Sequence, residues 1–329
     1  MSLQIVRSNK VDPLLDEMLH QFTADKEFSG EKIVLAFSLD EFGRDQTAYD
    51  FLASQPDQLR SGSASLLITS PNQLYTKEFA KEIIHLLNLR GVEFPGHPVV
   101  EAISGLKNMR KWANYSQLDL HSALIDQVEK TGQRLAEYQP EKVEKLLVLH
   151  ANSRPERSNT MQFFRQVEKQ LSIEYLDLEV LDEHVKDCAG CSYTTCGYYS
   201  SIQSCYFGGL FTDRILAQID QAGALLLLAP NYNDALSAKM MAVVNRLSVL
   251  YRKGPFYDKY VFALVVSGNS GSDSVARQII GAYNINKGFR LPAMFYQQAI
   301  ANDPNEIFED ENLPEKSGQF ARNLMKYLK

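Results

Sequence analysis

From about residue 140 onward, short apolar runs alternate with longer stretches in which apolar residues recur at helical spacing. The runs Lys145–Ala151, Ile173–Val180, Ala224–Ala229, Tyr260–Ser267 and Phe289–Phe295 read as strands. The periodic stretches between them, Asn159–Leu171, Leu210–Gln221, Ala235–Tyr251 and Ser272–Asn284, read as helices. Alternation at that spacing implies βαβ units and a parallel sheet covered on both faces. Five such strands fit the doubly wound order 2-1-3-4-5, in which a ligand sits at the carboxyl ends of the strands, between the first and the third. Gly318–Lys329 reads as a terminal helix folded back on this domain.

The first part of the chain has a different texture. Lys32–Ser38 and Ser65–Thr69 read as strands, and Thr76–Leu89 as an amphipathic helix with Phe79, Ile83, Leu86 and Leu87 on one face and Thr76 as its cap. Phe94-Pro95-Gly96-His97-Pro98 is a rigid turn, followed by helical patterns over Leu106–Trp112 and Leu118–Glu137. The charged stretch Arg134–Glu144, with Pro140 inside it, reads as a linker. The expected organisation is a separate N-terminal α/β domain over 1–140, without a catalytic constellation, and the doubly wound domain over 141–329.

Composition narrows the functional classes. The chain has 329 residues, 45% of them hydrophobic and 22% charged, which suits a globular protein of about two domains. A net charge of −6 without a basic stripe argues against a nucleic-acid partner. The longest apolar run, Ala222–Pro230, is strand-sized, so no membrane partner is expected, and Met1-Ser2-Leu3-Gln4 lacks the pattern of a signal peptide. The expected location is cytoplasmic.

Three loops at the ends of the predicted strands carry ligand chemistry. Asn152-Ser153-Arg154-Pro155-Glu156-Arg157-Ser158-Asn159-Thr160 follows the first strand and offers hydroxyls, two arginines and a helix N-terminus, a ready anion site. It has neither the Gly-x-Gly-x-x-Gly of a dinucleotide loop nor the Lys-Ser/Thr of a P-loop. Pro230-Asn231-Tyr232-Asn233-Asp234 follows the most apolar strand; Tyr232 offers a planar face, and Asn231 and Asn233 tolerate a tight turn. Gly268-Asn269-Ser270-Gly271 follows the fourth strand, and its glycines let backbone N–H groups approach a ligand. Each loop alone also reads as an ordinary polar turn leading into a capped helix.

Taken together, residues 145 to about 295 resemble the NADPH-dependent FMN reductase and iron–sulfur flavoprotein branch of the flavodoxin-like superfamily. That branch reads Gly-Ser-Pro-Arg-x-x-Gly-Asn-Thr at its phosphate loop. Ser153, Asn159 and Thr160 match it here, while Arg154 and Pro155 stand in swapped order. Pro230-Asn231-Tyr232 resembles the family's Pro-x-Tyr loop, Val243-Val244-Asn245-Arg246 its Phe-Ile-Asp-Arg helix end, and Gly268-Asn269-Ser270-Gly271 its Gly-rich loop. The resemblance implies a flavodoxin-like fold that binds FMN. Phosphate contacts fall to Ser153, Arg154, Ser158, Asn159 and Thr160, and ring contacts to Pro230, Asn231, Tyr232, Asn233, Gly268, Asn269 and Ser270. It further implies a homodimer.

All four cysteines fall between Cys188 and Cys205, as Cys188-x2-Cys191-x4-Cys196-x8-Cys205. Four thiolates are the ligand set of a [4Fe–4S] cluster or of a tetrahedral zinc. The family resemblance favours a cluster over zinc; cysteines that bind no metal stand slightly ahead of both. Tyr193, Tyr198, Tyr199, Tyr206 and Phe207 surround them. The six histidines, His20, His85, His97, His121, His150 and His184, show no metal spacing, and His150 reads as a hydrogen-bonded core residue.

The expected function is that of an FMN-dependent oxidoreductase taking a hydride from NADPH or NADH and passing electrons to an acceptor. The flavin carries the chemistry, so no side-chain acid or base is required. Two alternatives stay open: an iron–sulfur flavoprotein electron carrier without NAD(P)H activity, and a non-enzymatic binding module with a degenerate flavin site.

Overall fold

A computed structural model describes residues 2–55, 62–152, 154–180, 185–209 and 211–329. The chain divides into two compact units, one of residues 1–139 with 284–288, the other of 140–283 with 289–329.

The first unit begins with β1 (Ser2–Arg7), α1 (Pro13–Thr23), β2 (Glu31–Ser38), α2 (Gln46–Ser54), β3 (Gly62–Ser70) and α3 (Thr76–Leu89). It continues with β4 (Val92–Glu93), β5 (Val99–Ile103), α4 (Arg110–Ser116) and α5 (Leu120–Glu137). Its sheet is parallel, in the order β1-β2-β3, with both β4 and β5 paired to β3. One face packs Val34, Ala36 and Leu67 against Leu15, Met18 and Phe22 of α1 and Leu124 and Val128 of α5. Asp12 caps α1, accepting the Leu15 N–H at 3.1 Å, and Asp119 caps α5 through His121 and Ser122. Burial alone would raise the Asp12 carboxyl, but the hydroxyls of Thr69 and Ser38 more than offset it and hold the group below its usual range.

Two expectations for this unit change. The cap of α3 is not Thr76, which is buried in the first turn, but Tyr75, held in the left-handed region at φ 59° with no side-chain cap bond. Arg134 and Glu137 belong to α5 rather than to a linker.

The second unit runs β6 (Leu146–His150), α6 (Asn159–Glu168), β7 (Tyr175–Glu179), α7 (Tyr193–Ser201), α8 (Ala217–Gln221), β8 (Ala224–Pro230) and α9 (Ala238–Arg246). It ends with α10 (Ser248–Tyr251), β9 (Tyr260–Ser267), α11 (Ser272–Ile279), β10 (Tyr296–Ile300) and α12 (Leu313–Met325). All pairings are parallel, in the order β10-β9-β8-β6-β7, so in chain order the sheet reads 2-1-3-4-5. The expected doubly wound, flavodoxin-like sheet is present.

Its central strands β6, β8 and β9 are buried almost throughout, which is why they read as unbroken apolar runs. Leu226 and Leu228 join a core with Phe163, Phe164 and Val167 of α6 and Phe320 and Leu324 of α12. The alternate residues Leu225 and Leu227 are fully buried on the opposite face.

The fifth strand lies elsewhere than expected. Phe289, Leu291 and Phe295 are fully buried, but Pro292 lacks a ladder donor and Met294 sits at φ 48°, so that run forms a packed loop. The strand follows as Tyr-Gln-Gln-Ala-Ile, polar and alternately exposed because it is an edge. Between β8 and β9, the single expected helix is two, α9 and α10, joined at Leu247.

The turn before β5 generates a pH prediction. Partial burial, with help from the neighbouring Arg134 cation, depresses His97 from 6.5 to about 4. Between those values the folded unit keeps the imidazole neutral while the unfolded chain takes up a proton. Stability of the first unit should therefore fall as pH drops from 6.5 towards 4, by roughly 2–3 kcal/mol in total. His97→Asn, which keeps a residue tolerant of φ 52°, should flatten that slope in urea unfolding at pH 7 and pH 4.5. An unchanged slope would show that the proton goes elsewhere.

Candidate functional site

Because every pairing in the second sheet is parallel, the loops after β6, β8, β9 and β10 leave from one edge. The chain reverses direction across the sheet between β6 and β8, and that reversal opens a crevice between their following loops.

The loop after β6 is built around two asparagines and a histidine. His150 is buried, with Nε2 3.2 Å from Asp177 Oδ1 on β7 and Nδ1 accepting the Asn152 N–H at 3.4 Å. It is a structural histidine that fixes the strand end. Asn152 beside it is buried, and its Nδ2 donor has no hydrogen-bond partner among the described residues. Ser158 caps α6, its Oγ accepting the Met161 N–H at 3.3 Å. Ahead of the first intrahelical bond, the N–H groups of Asn159 and Thr160 remain for an anion.

The side chain of Asn159 itself is committed to structure. Its Nδ2 donates to Asp303 O at 2.8 Å and its Oδ1 accepts the Ile307 N–H at 3.3 Å, which latches the start of α6 to the loop after β10. Thr160 is buried and Arg154 is exposed. Ser153 lies outside the described residues.

The loops after β8 and β9 are knitted together by Asn231. Its amide nitrogen lies 3.0 Å from Ser270 O, 3.1 Å from Ser267 Oγ and 3.3 Å from Asp234 Oδ1. The Asn231 N–H also donates to Val266 O at 2.8 Å. Tyr232 and Ala235 exchange backbone hydrogen bonds of 3.0 and 3.1 Å across Asn233 and Asp234, which both take positive φ (52° and 61°), the backbone of a type I′ turn. The turn presents Tyr232, 53% exposed, at the crevice side of the strand end. Gly271, at φ 86°, abuts this turn so closely that a Cβ would collide with Asp234 Oδ1. The Asn231 Oδ1 acceptor is buried and has no partner among the described residues.

Pro230, Asn231, Tyr232 and Asn233 thus sit with Gly268, Asn269 and Ser270 on one edge, beside the loop carrying Arg154, Ser158, Asn159 and Thr160. Asn152, Asp234 and Asn302 escaped the sequence reading as site residues. Asn302 Oδ1 lies where a Cβ on Gly268 would stand 2.9 Å away, so the loop after β10 backs the Gly-rich loop. An asparagine directly preceding the hydroxyl-rich segment was the available signal for Asn152. A separate groove of about 550 Å³, lined by Lys142, Gln170, Ala321, Arg322, Met325 and Lys326, lies where α6 ends, away from these loops.

The cysteine expectation is corrected. All four thiols are free, and among the described residues no three His, Cys, Asp or Glu side chains gather closely enough to hold a metal. Cys196 lies on α7, where its Sγ accepts the Arg252 Nε–H at 3.1 Å and the Arg252 guanidinium stacks over Tyr193 at 4.1 Å. Cys188 and Cys191 belong to the irregular segment before that helix, and Cys205 to the segment after it. The residues present do not fit a cluster or a zinc ion. Four ligands require a common centre, and here a helix and an arginine separate them.

The segment that carries the cysteines is closed by one arginine. Arg246 is 1% exposed and donates to Lys186 O at 3.2 Å and Gly208 O at 3.4 Å, with its guanidinium 3.8 Å above the Phe211 ring. Next to it, the Asn245 amide and the Cys188 N–H hold the Asp187 carboxyl below its ordinary range.

A five-stranded, doubly wound parallel sheet with its loops converging at the switch point defines a nucleotide- or flavin-binding domain of the flavodoxin-like class. Within that class, residues 144–302 match the model of the NADPH-dependent FMN reductase family. That match supports a flavin-dependent oxidoreductase.

No curated protein matches the sequence. Among solved structures, an FMN-dependent NADH-azoreductase from Bacillus anthracis in complex with FMN is 14% identical (TM-score 0.41), the match covering 55% of this chain and 99% of that one. An NAD(P)H:quinone oxidoreductase from Methanothermobacter marburgensis is 16% identical (TM-score 0.41), over 55% and 95%. RosB with a bound riboflavin-phosphate intermediate is 15% identical (TM-score 0.43), over 56% and 79%. At that level of likeness none of them speaks to this chain's activity. Among the described residues no helix is long and apolar enough to cross a membrane.

Asn231→Ala should unlace the two loops and lower stability by about 0.5–1.5 kcal/mol, since the Ser270 carbonyl is exposed and the Ser267 hydroxyl keeps its bond to Ser272. Equilibrium urea unfolding of the two proteins checks this. A variant as stable as the parent would show that the loops hold without the amide.

Proposed function

We propose that the second unit binds FMN in the crevice between the loops after β6 and β8. Electrons taken from NADPH or NADH pass through it to an acceptor. Two buried polar atoms carry this reading. Asn152 Nδ2 is a donor and Asn231 Oδ1 an acceptor, both without a partner among the described residues, at the ends of adjacent strands. Buried polar atoms are rarely left unpaired, so a native orphan calls for a ligand or water. A donor beside a helix N-terminus suits a phosphate, and an acceptor on the neighbouring loop suits the imide N–H at the edge of a flavin ring. The match to the FMN reductase family supports the same assignment.

The chemistry FMN supplies when bound is acceptance of a hydride and release of electrons singly or in pairs. The chain's own residues bind and orient. The N–H groups of Asn159 and Thr160 and the Nδ2 of Asn152 would hold the phosphate, with Ser158 maintaining the helix start. The exposed face of Tyr232 would pack on the ring. The Asn231 lacing and the close seat of Gly271 would fix the ring-side loops, so that donor and acceptor meet one rigid surface. No side chain needs to move a proton for this work.

The test is titration of the full chain with FMN, followed by anaerobic addition of NADPH and, separately, NADH. Binding seen as a shifted yellow spectrum, bleached by one nicotinamide donor, is the expected result. Asn152→Ala should weaken FMN binding about tenfold, the worth of a hydrogen bond to a charged group, with folding unchanged by circular dichroism. Failure to bind FMN would overturn the proposal. Flavin that dithionite bleaches but neither nicotinamide does would leave an electron carrier.

A further inference from the structure

The misfit between four thiols and a metal leaves a Cys-x-x-Cys sequence without a role. We infer that Cys188 and Cys191 are a redox-active dithiol, closing a disulfide by exchange with low-molecular-weight disulfides and reopening with thiols. This inference does not depend on the flavin reading.

Three observations single out this pair. Cys188-Ala189-Gly190-Cys191 has the spacing at which two cysteines close a small ring within one turn. Gly190 between them takes φ 65°, a conformation that costs glycine nothing. Its N–H meets Cys188 Sγ at 3.5 Å, so the sulfur lies back along the chain towards position 191. The base of the segment is held on Asp187: its Oδ1 accepts the Cys188 N–H at 2.6 Å and the Asn245 amide at 2.9 Å. Beyond it, Arg246 grips Lys186 O. The start of the segment is thus mounted on α9.

Exposure assigns the order of attack. Cys188 is exposed and Cys191 partly buried, so Cys188 meets an external reagent first and Cys191 resolves. The Cys188 thiolate attacks one sulfur of a disulfide RSSR; a Cys188–S–S–R mixed disulfide forms, the S–S bond of RSSR breaks, and RS⁻ leaves and takes up a proton to become RSH. Cys191 then attacks the Cys188 sulfur and releases the second RSH. In sum, two cysteine thiols are oxidised to one disulfide and RSSR is reduced to two RSH. Cys196 lies on α7, outside the Cys-x-x-Cys spacing, with its sulfur bonded to the Arg252 Nε–H.

All four cysteines fall in the single tryptic peptide Asp187–Arg214, so variants rather than digestion must assign the bond. The full chain, with and without FMN, is equilibrated in glutathione buffers of graded ratio, acid-quenched, alkylated and weighed. The parent and the double variant Cys196→Ser, Cys205→Ser should each lose two alkylatable thiols and about 2 Da, reversibly with dithiothreitol. Cys188→Ser should form no disulfide, and Cys191→Ser should trap a mixed glutathione disulfide on Cys188. A parent chain that stays fully reduced, or a disulfide that survives Cys188→Ser, would overturn the inference. Closure in a chain that ignores FMN would uphold it while the flavin reading fails.

Discussion

The functional edge of the second unit hangs on one side-chain amide. Asn231 reaches from the loop after β8 to the backbone of Ser270 and the hydroxyl of Ser267, and so joins two loops whose strands are already neighbours. A parallel sheet brings loops to one edge but does not hold them together. The amide supplies that hold, and Gly271 makes room for it by doing without a side chain. With the loops laced, the remaining oxygen of the same amide is left pointing at nothing. One end of the amide thus gives rigidity, and the other is left for the ligand of the proposed site.

Arg246 plays a different part. Burying a guanidinium is costly, and here it is met by two carbonyls and an aromatic face, with Asp187 among its charged neighbours. The two carbonyls belong to Lys186 and Gly208, so the cation fastens both ends of a long excursion. The aromatic side chains of that excursion, Tyr193, Tyr198, Tyr206 and Phe207, remain on the surface. It is held at its base and open along its length, a suitable mount for chemistry that needs access to solutes.

What the sequence disclosed follows from where each residue sits. β8 and β9 were legible almost to the residue because strands buried on both faces must be apolar throughout. β10 was missed because an edge strand carries glutamines, while the apolar run before it advertised burial and not strand. In the first unit β1, β5 and the first two helices went unread for the same reason: short or half-exposed elements leave weak periodicity. The three ligand loops were legible as strand ends. Their internal wiring was not, because Asn231 meets a residue 39 positions away and Asn159 one 144 positions away. The cysteine spacing suggested a common centre, and only the helix between the thiols shows why there is none.

The first unit counts Asn284–Gly288 among its own residues. Five residues from deep in the second half of the chain thus belong to the fold that the first half begins. On a ribosome these five are made only after all but the last strand and helix of the later unit, so the first unit does not receive its full set of residues until then. A cut at the boundary near residue 140 would leave the leading piece short of its last segment.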